Sequence, residues 1–126
     1  MELRELVGGE VESIGTDATV AEGAAAMQKA GVGSLAVVDE GEFHGIFTER
    51  DVVRSVASGH SPQEEVIGDW MTPYPDSFSP DMSVSDAADW MLAVGYRHLP
   101  LVEKGDLIGM ASIKDILWAV TSEPID

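Results

Sequence analysis

Slid along itself by 64 positions, this chain falls on a second copy of itself without a gap. "TVAEGAAAMQKAGVGSLAVVDEGEFHGIFTERDVVRSV" (residues 19–56) lies over "SVSDAADWMLAVGYRHLPLVEKGDLIGMASIKDILWAV" (residues 83–120). Val20 meets Val84, Met27 meets Met91, and Gly31 meets Gly95. Leu35 meets Leu99, Gly45 meets Gly109, and Asp51 meets Asp115. A duplication this regular constrains the fold more than any other feature, because an element placed in one half recurs in the other. A unit of about 55 residues is marginal by itself, since it buries too little surface. Two copies that pack matching apolar faces together resolve this. The expectation is an α/β (α+β) chain of two units related by a pseudo-twofold axis, with two equivalent clefts where they meet.

Each copy reads as β-α-β-β-α. Thr19-x-x-Glu22 and Ser83-x-x-Asp86 carry the pattern of a capping box that opens a helix. Val20, Ala24 and Met27 share a helical face, as do Val84, Ala88 and Met91. Gly31 and Gly95 stand where a helix C-terminus takes a left-handed residue. The short apolar runs "SLAVV" and "HLPLV" predict strands, followed by the hairpin turns "DEGE" (39–42) and "EKGD" (103–106). A second strand and a second helix follow, the helix carrying Val52, Val53 and Val56, or Ile116, Leu117 and Val120. A short strand is expected before each unit, at residues 10–14 and 74–78. "SGHSPQEE" (58–65) reads as a polar linker, and "EVIGDWM" as a short helical piece.

Charge is the compositional outlier. The 126 residues hold 23 acidic and 7 basic side chains, a net charge of −16. That excludes a basic nucleic-acid footprint. The acids are not clustered in one block, so the charge is spread over a folded surface rather than a disordered tail. Such a surface is a lever that halophiles use, and a salt-loving host is expected. With no cysteine, disulfides and thiolate metal sites are excluded. The start "MELRELVGGE" has no apolar h-region, and no apolar run approaches the ~20 residues that span a bilayer. A cytoplasmic protein without membrane contact is the expectation.

The chemistry concentrates in "GIFTERD" (45–51) and its echo "GMASIKD" (109–115). Thr48-x-x-Asp51 and Ser112-x-x-Asp115 each place a hydroxyl at a helix N-cap and an acid three residues later. Capping alone accounts for both. The same geometry also suits a ligand: a helix N-terminus attracts phosphate, and an aspartate can accept both hydroxyls of a ribose. Gly45 and Gly109 sit inside strands, where glycine marks close approach of a ligand or of another backbone. The residues alone leave both readings open.

The duplicated unit, the two Gly-h-x-[Thr/Ser]-x-x-Asp elements, "YRHLPLV" and "WMT" (70–72) resemble a tandem pair of CBS domains, a Bateman module. The resemblance covers residues 3–121, with one domain at 3–60 and the other at 67–121. It implies a regulatory module that binds AMP, ADP, ATP or S-adenosylmethionine and catalyses nothing. It further implies a homodimer and an effector protein that reads the ligand state; the acidic composition, not the resemblance, carries the expectation of a halophilic archaeal source. By the same resemblance, Asp51 and Asp115 would hold ribose, and Thr48 and Ser112 phosphate or ribose oxygens. Gly45, Gly109 and Pro100 belong to the matched motifs, and Arg97 and His98 match a basic pair that contacts phosphates. The first copy has Gly33 and Ser34 in place of that pair. Arg50 and Lys114 lie inside the motif and would add positive charge, or else simply line a solvated helix face. The alternative is a structural or dimerisation module with empty or degenerate sites.

Other constellations carry less. "AGVGS" (30–34) follows a helix and precedes a strand, the reverse of a phosphate loop. His44, His60 and His98 lack ligand spacing for a metal, and no nucleophile motif of the G-x-S-x-G kind is present. Trp70, Trp90 and Trp118 read as core or interface residues.

Overall fold

The computed structural model describes residues 1–122. The chain divides into two compact units: Val11–Pro75, and Met1–Glu10 together with the chain from Asp76 onward.

In the first of these, β1 (Ser13–Ile14) leads to α1 (Val20–Ala30), β2 (Ser34–Asp39), β3 (Glu42–Thr48), α2 (Glu49–Ala57), a 3-10 turn (Ile67–Asp69) and β4 (Thr72–Pro73). The sheet order is β1-β2-β3-β4, with β1 parallel to β2 and the other pairs antiparallel. The second unit contains a 3-10 turn (Leu3–Leu6), α3 (Val84–Val94), β5 (His98–Glu103), β6 (Asp106–Ser112) and α4 (Ile113–Ser122).

The local signals in the sequence act as expected. The Thr19 and Ser83 hydroxyls accept from the Glu22 and Asp86 N–H groups at 3.0 and 3.1 Å, satisfying donors that a helix start leaves free. Gly31 and Gly95 end α1 and α3 in the left-handed region, at φ 70 and 88. Both hairpins turn on two residues of positive φ, Glu40–Gly41 and Lys104–Gly105, which match the twist of the flanking strands. Each hairpin carries its irregularity at the same place, between Val37 and Val38 and between Leu101 and Val102.

The expected leading strands are shorter than the sequence suggested. The first is Ser13–Ile14, and the second is a single bridge, Phe78 to Leu101. That bridge repeats the Ile14–Val37 pairing. The pattern of residues 10–14 and 74–78 marks this edge, but the chain runs alongside its neighbour only briefly.

The two cores repeat as well. Val20, Met27, Leu35, Val37, Phe47 and Ile67 form one. Val84, Met91, Leu99, Leu101, Ala111 and Leu3 occupy the matching positions of the other. The last pair reveals an exchange. Ile67 precedes the second repeat but is buried in the core of the first. Leu3 precedes the first repeat but is buried in the core of the second. Backbone bonds fix both leads: Leu3 N–H donates to Met82 and Ile67 N–H to Ala18, at 2.9 and 2.8 Å.

One expectation about a side chain needs correcting. The inner face of α1 runs through Val20, Gly23 and Met27, with Ala24 only half-buried. Of the tryptophans, Trp70 lies against a core, whereas Trp90, its ring edge-on to Phe78, and Trp118 are exposed in the chain. Their helices bury other residues, Ala87 and Met91 on α3 and Ile116 and Ala119 on α4.

Candidate functional site

β3 delivers its last residue, Thr48, to the start of α2, and β6 delivers Ser112 to the start of α4. Each helix then places an aspartate in its first turn. Thr48 N–H donates to Asp51 Oδ2 at 2.9 Å, and its hydroxyl lies 3.3 Å from the same oxygen. Ser112 N–H and Oγ approach Asp115 Oδ2 at 2.8 and 3.0 Å. Asp115 N–H donates back to Ser112 Oγ at 3.2 Å. These are reciprocal capping boxes with aspartate in the glutamate position.

The surroundings differ. Asp51 is 4% exposed, and its Oδ1 accepts from Arg54 Nη1 at 2.9 Å. Asp115 is half-buried. The position matching Arg54 is Trp118.

The strands that precede the two hairpins supply the rest of each end. His98 is registered opposite Ser112, and the Arg97 carbonyl accepts from Ile113 N–H at 2.9 Å. Arg97, His98, Ser112, Lys114 and Asp115 are thereby gathered at one end of their unit. Arg97 and Lys114 are exposed and His98 is half-buried. In the first copy, Ser34 is opposite Thr48 and the Gly33 carbonyl accepts from Glu49 N–H at 3.2 Å. The backbone is the same, and the basic side chains are missing. Arg50 is exposed on α2. Pro100 lies one step deeper: buried, opposite Met110, its carbonyl accepting from Phe78 N–H at 2.9 Å.

The glycines have a packing role. A Cβ on Gly45 would stand 2.6 Å from the Thr72 carbonyl oxygen and 2.8 Å from Met71 Sδ. On Gly109 it would stand 2.7 Å from Val7 Cγ2. Met71 and Val7 occupy matching positions in the two exchanged leads. The close approach marked by these glycines is therefore made by the chain itself, and in the first copy it includes backbone.

Sequence reasoning missed Arg54. Its signal was present, a cation three residues after the motif aspartate, but it is read only if the aspartate is known to turn back toward the helix. Among the described residues, no group of three or more His, Asp or Glu is placed to hold a metal ion, and no helix is long and apolar enough to cross a membrane.

Known proteins share this architecture. A meiotically up-regulated protein of Schizosaccharomyces pombe is 34% identical over 98% of this chain, which spans 18% of that protein. An uncharacterized protein of Acidianus ambivalens is 38% identical over 81% of this chain, which spans 62% of it. The chain thus covers less than two thirds of either relative. Among solved structures, a CBS-domain protein of Agrobacterium tumefaciens is similar at a TM-score of 0.90 and 29% identity, covering 95% of this chain and 99% of that one. The CBS domain pair of protein MJ0100, solved with 5′-methylthioadenosine and S-adenosylmethionine, shares the fold at a TM-score of 0.85 and 20% identity. It covers 95% of this chain and 99% of that one. The CBS domain family matches residues 3–58 and again 67–122, and with two such units this chain belongs to that family as a tandem pair.

Proposed function

We propose that the chain is a regulatory sensor that binds an adenosine-containing ligand, AMP, ADP, ATP or S-adenosylmethionine, and signals its presence to a partner protein without catalysing a reaction. One observation carries this reading: a hydroxyl and a carboxylate recur at the same helix end of both repeats, and in the second a basic pair stands beside them. Asp115 and Asp51 are the ribose acceptors. Ser112, Thr48, Arg97 and His98 serve phosphate or ribose oxygens, with Lys114 and Arg50 contributing charge. The adenosine ligands of the MJ0100 pair support the choice of ligand class. Ligand binding would act by population shift, favouring one conformation that a partner recognises. The setting that fits the charge is the salt-rich cytoplasm of a halophile.

Calorimetric titration of the chain in high KCl with AMP, ADP, ATP and S-adenosylmethionine tests this. Saturable binding of one of them is expected, weakened by Asp115→Ala. Absence of binding by all four would leave a structural, dimerising module. That second reading draws on the exposed apolar side chains of α4, Ile113, Leu117, Trp118 and Val120, which suit a homodimer interface.

A further inference from the structure

The two copies of the motif are not equally available. A carboxylate offers roughly four lone-pair positions, and a ribose diol needs two of them side by side. In the first copy three are directed elsewhere. Thr48 takes Oδ2 with its N–H and hydroxyl, and Arg54 Nη1 takes Oδ1 at 2.9 Å. Arg54 is itself held in place. Its guanidinium carbon lies 5.7 Å over the Trp70 ring, and His60 packs edge-on against that ring at 5.4 Å. Glu65 lies 3.6 Å from His60 Nε2. The Asp51 side chain is left 6% exposed.

The second copy lacks this arrangement. Leu6 stands at the position of Trp70 and Trp118 at that of Arg54. Ser112 still engages Oδ2 of Asp115, while Trp118 is 61% exposed and makes no hydrogen bond to Asp115 among the described residues. Among the described residues, no hydrogen bond engages Oδ1 of Asp115.

We infer that Arg54 is an intramolecular stand-in for the ligand's hydroxyls, masking Asp51 so that the second copy takes the ligand first. This rests on the adenosine reading above and names the residue that makes the two sites unequal. Displacing Arg54 forfeits a half-exposed ion pair and a cation–π contact, together about a tenfold loss of affinity.

The test is calorimetry of AMP, ATP and S-adenosylmethionine against the full chain and its Asp51→Asn, Asp115→Asn and Arg54→Ala variants. Asparagine keeps a carbonyl oxygen for the cap N–H, and thermal melts establish that each variant is folded. Asp115→Asn is expected to cost at least about tenfold more affinity than Asp51→Asn, the margin set by the masking. Arg54→Ala is expected to reveal a second binding event or to tighten a weak one about tenfold. A larger loss with Asp51→Asn overturns the inference. So does weaker binding by Arg54→Ala, which would make Arg54 a phosphate contact, or an Arg54→Ala titration indistinguishable from that of the parent chain. These outcomes leave the adenosine reading intact. Failure of the parent chain to bind any of the probes removes that reading, and this inference with it.

Discussion

Ser55 lies one turn beyond Asp51 on α2, fully buried, and its hydroxyl has no partner among the described residues. A buried donor without a partner costs about 1–3 kcal/mol, and alanine is the better helix former. The second copy has Ala119 there, also buried. Ser55→Ala is therefore expected to stabilise the chain by about 1 kcal/mol, read as a higher urea midpoint at unchanged slope. Thr16 and Asp39 make a contrasting pair. The Thr16 hydroxyl donates to Asp39 Oδ2 at 2.6 Å and its N–H to Oδ1 at 3.1 Å, and these bonds hold the Asp39 carboxyl below its ordinary pKa. Arg4 does the same for Glu103 through a bidentate contact. A carboxylate whose folded pKa is depressed adds stability above its unfolded pKa, about 4, and loses it as pH falls through the lower folded value. Thr16→Val should thus lower stability at neutral pH and shrink the loss between neutral and acid pH, a difference that denaturant titrations at pH 7 and pH 3 would reveal. Neither Ser55 nor Thr16 stood out in the sequence, because a lone hydroxyl signals nothing until its surroundings are known. Thr48 and Asp51 were legible because their spacing alone brings the two side chains together.

Helix α1 carries a glycine in its middle, Gly23, at a cost of about 1 kcal/mol relative to alanine. The sheet it packs on explains the choice. A Cβ on Gly23 would stand 2.7 Å from Phe47 Cε2 and 2.8 Å from Ile67 Cδ1. In the second copy Gly23 and Phe47 are matched by Ala87 and Ala111, both fully buried. A large residue on the strand is matched by none on the helix, and two small ones meet in the other copy. Gly23→Ala is expected to destabilise by about 1–3 kcal/mol through overpacking, despite its better helix propensity. A double-mutant cycle with Phe47→Leu should show a coupling of about 0.5–3 kcal/mol. Caps, hairpin turns and helix ends were readable because each is set by residues within a few positions. The exchange of Leu3 and Ile67 was not, since it joins segments far apart in sequence and leaves the periodicity of each untouched. The gap-free alignment pairs the repeats position by position yet gives no hint of which core each lead enters.

At the scale of the molecule, the net charge of −16 dominates. Self-repulsion of that size opposes the compact state, and molar salt shortens the screening length to about 3 Å. The thermal midpoint is expected to rise by several degrees or more between dilute buffer and molar KCl, as followed by circular dichroism. An unchanged midpoint would count against a salt-adapted surface. The composition alone carries this expectation, whereas the inequality of the two motif copies depends on where Arg54 and Trp70 come to lie in the fold. The division of the chain has one more consequence, for the order in which it folds as the ribosome releases it. Val11–Pro75 is continuous, so that unit has all its residues once Pro75 emerges. Its counterpart needs Met1–Glu10, made before that unit, and the stretch from Asp76, made after it. Leu3 must wait for its core, and the inner unit can shorten that wait by bringing the two ends of its own segment to a fixed separation, which removes much of the loop-closure entropy.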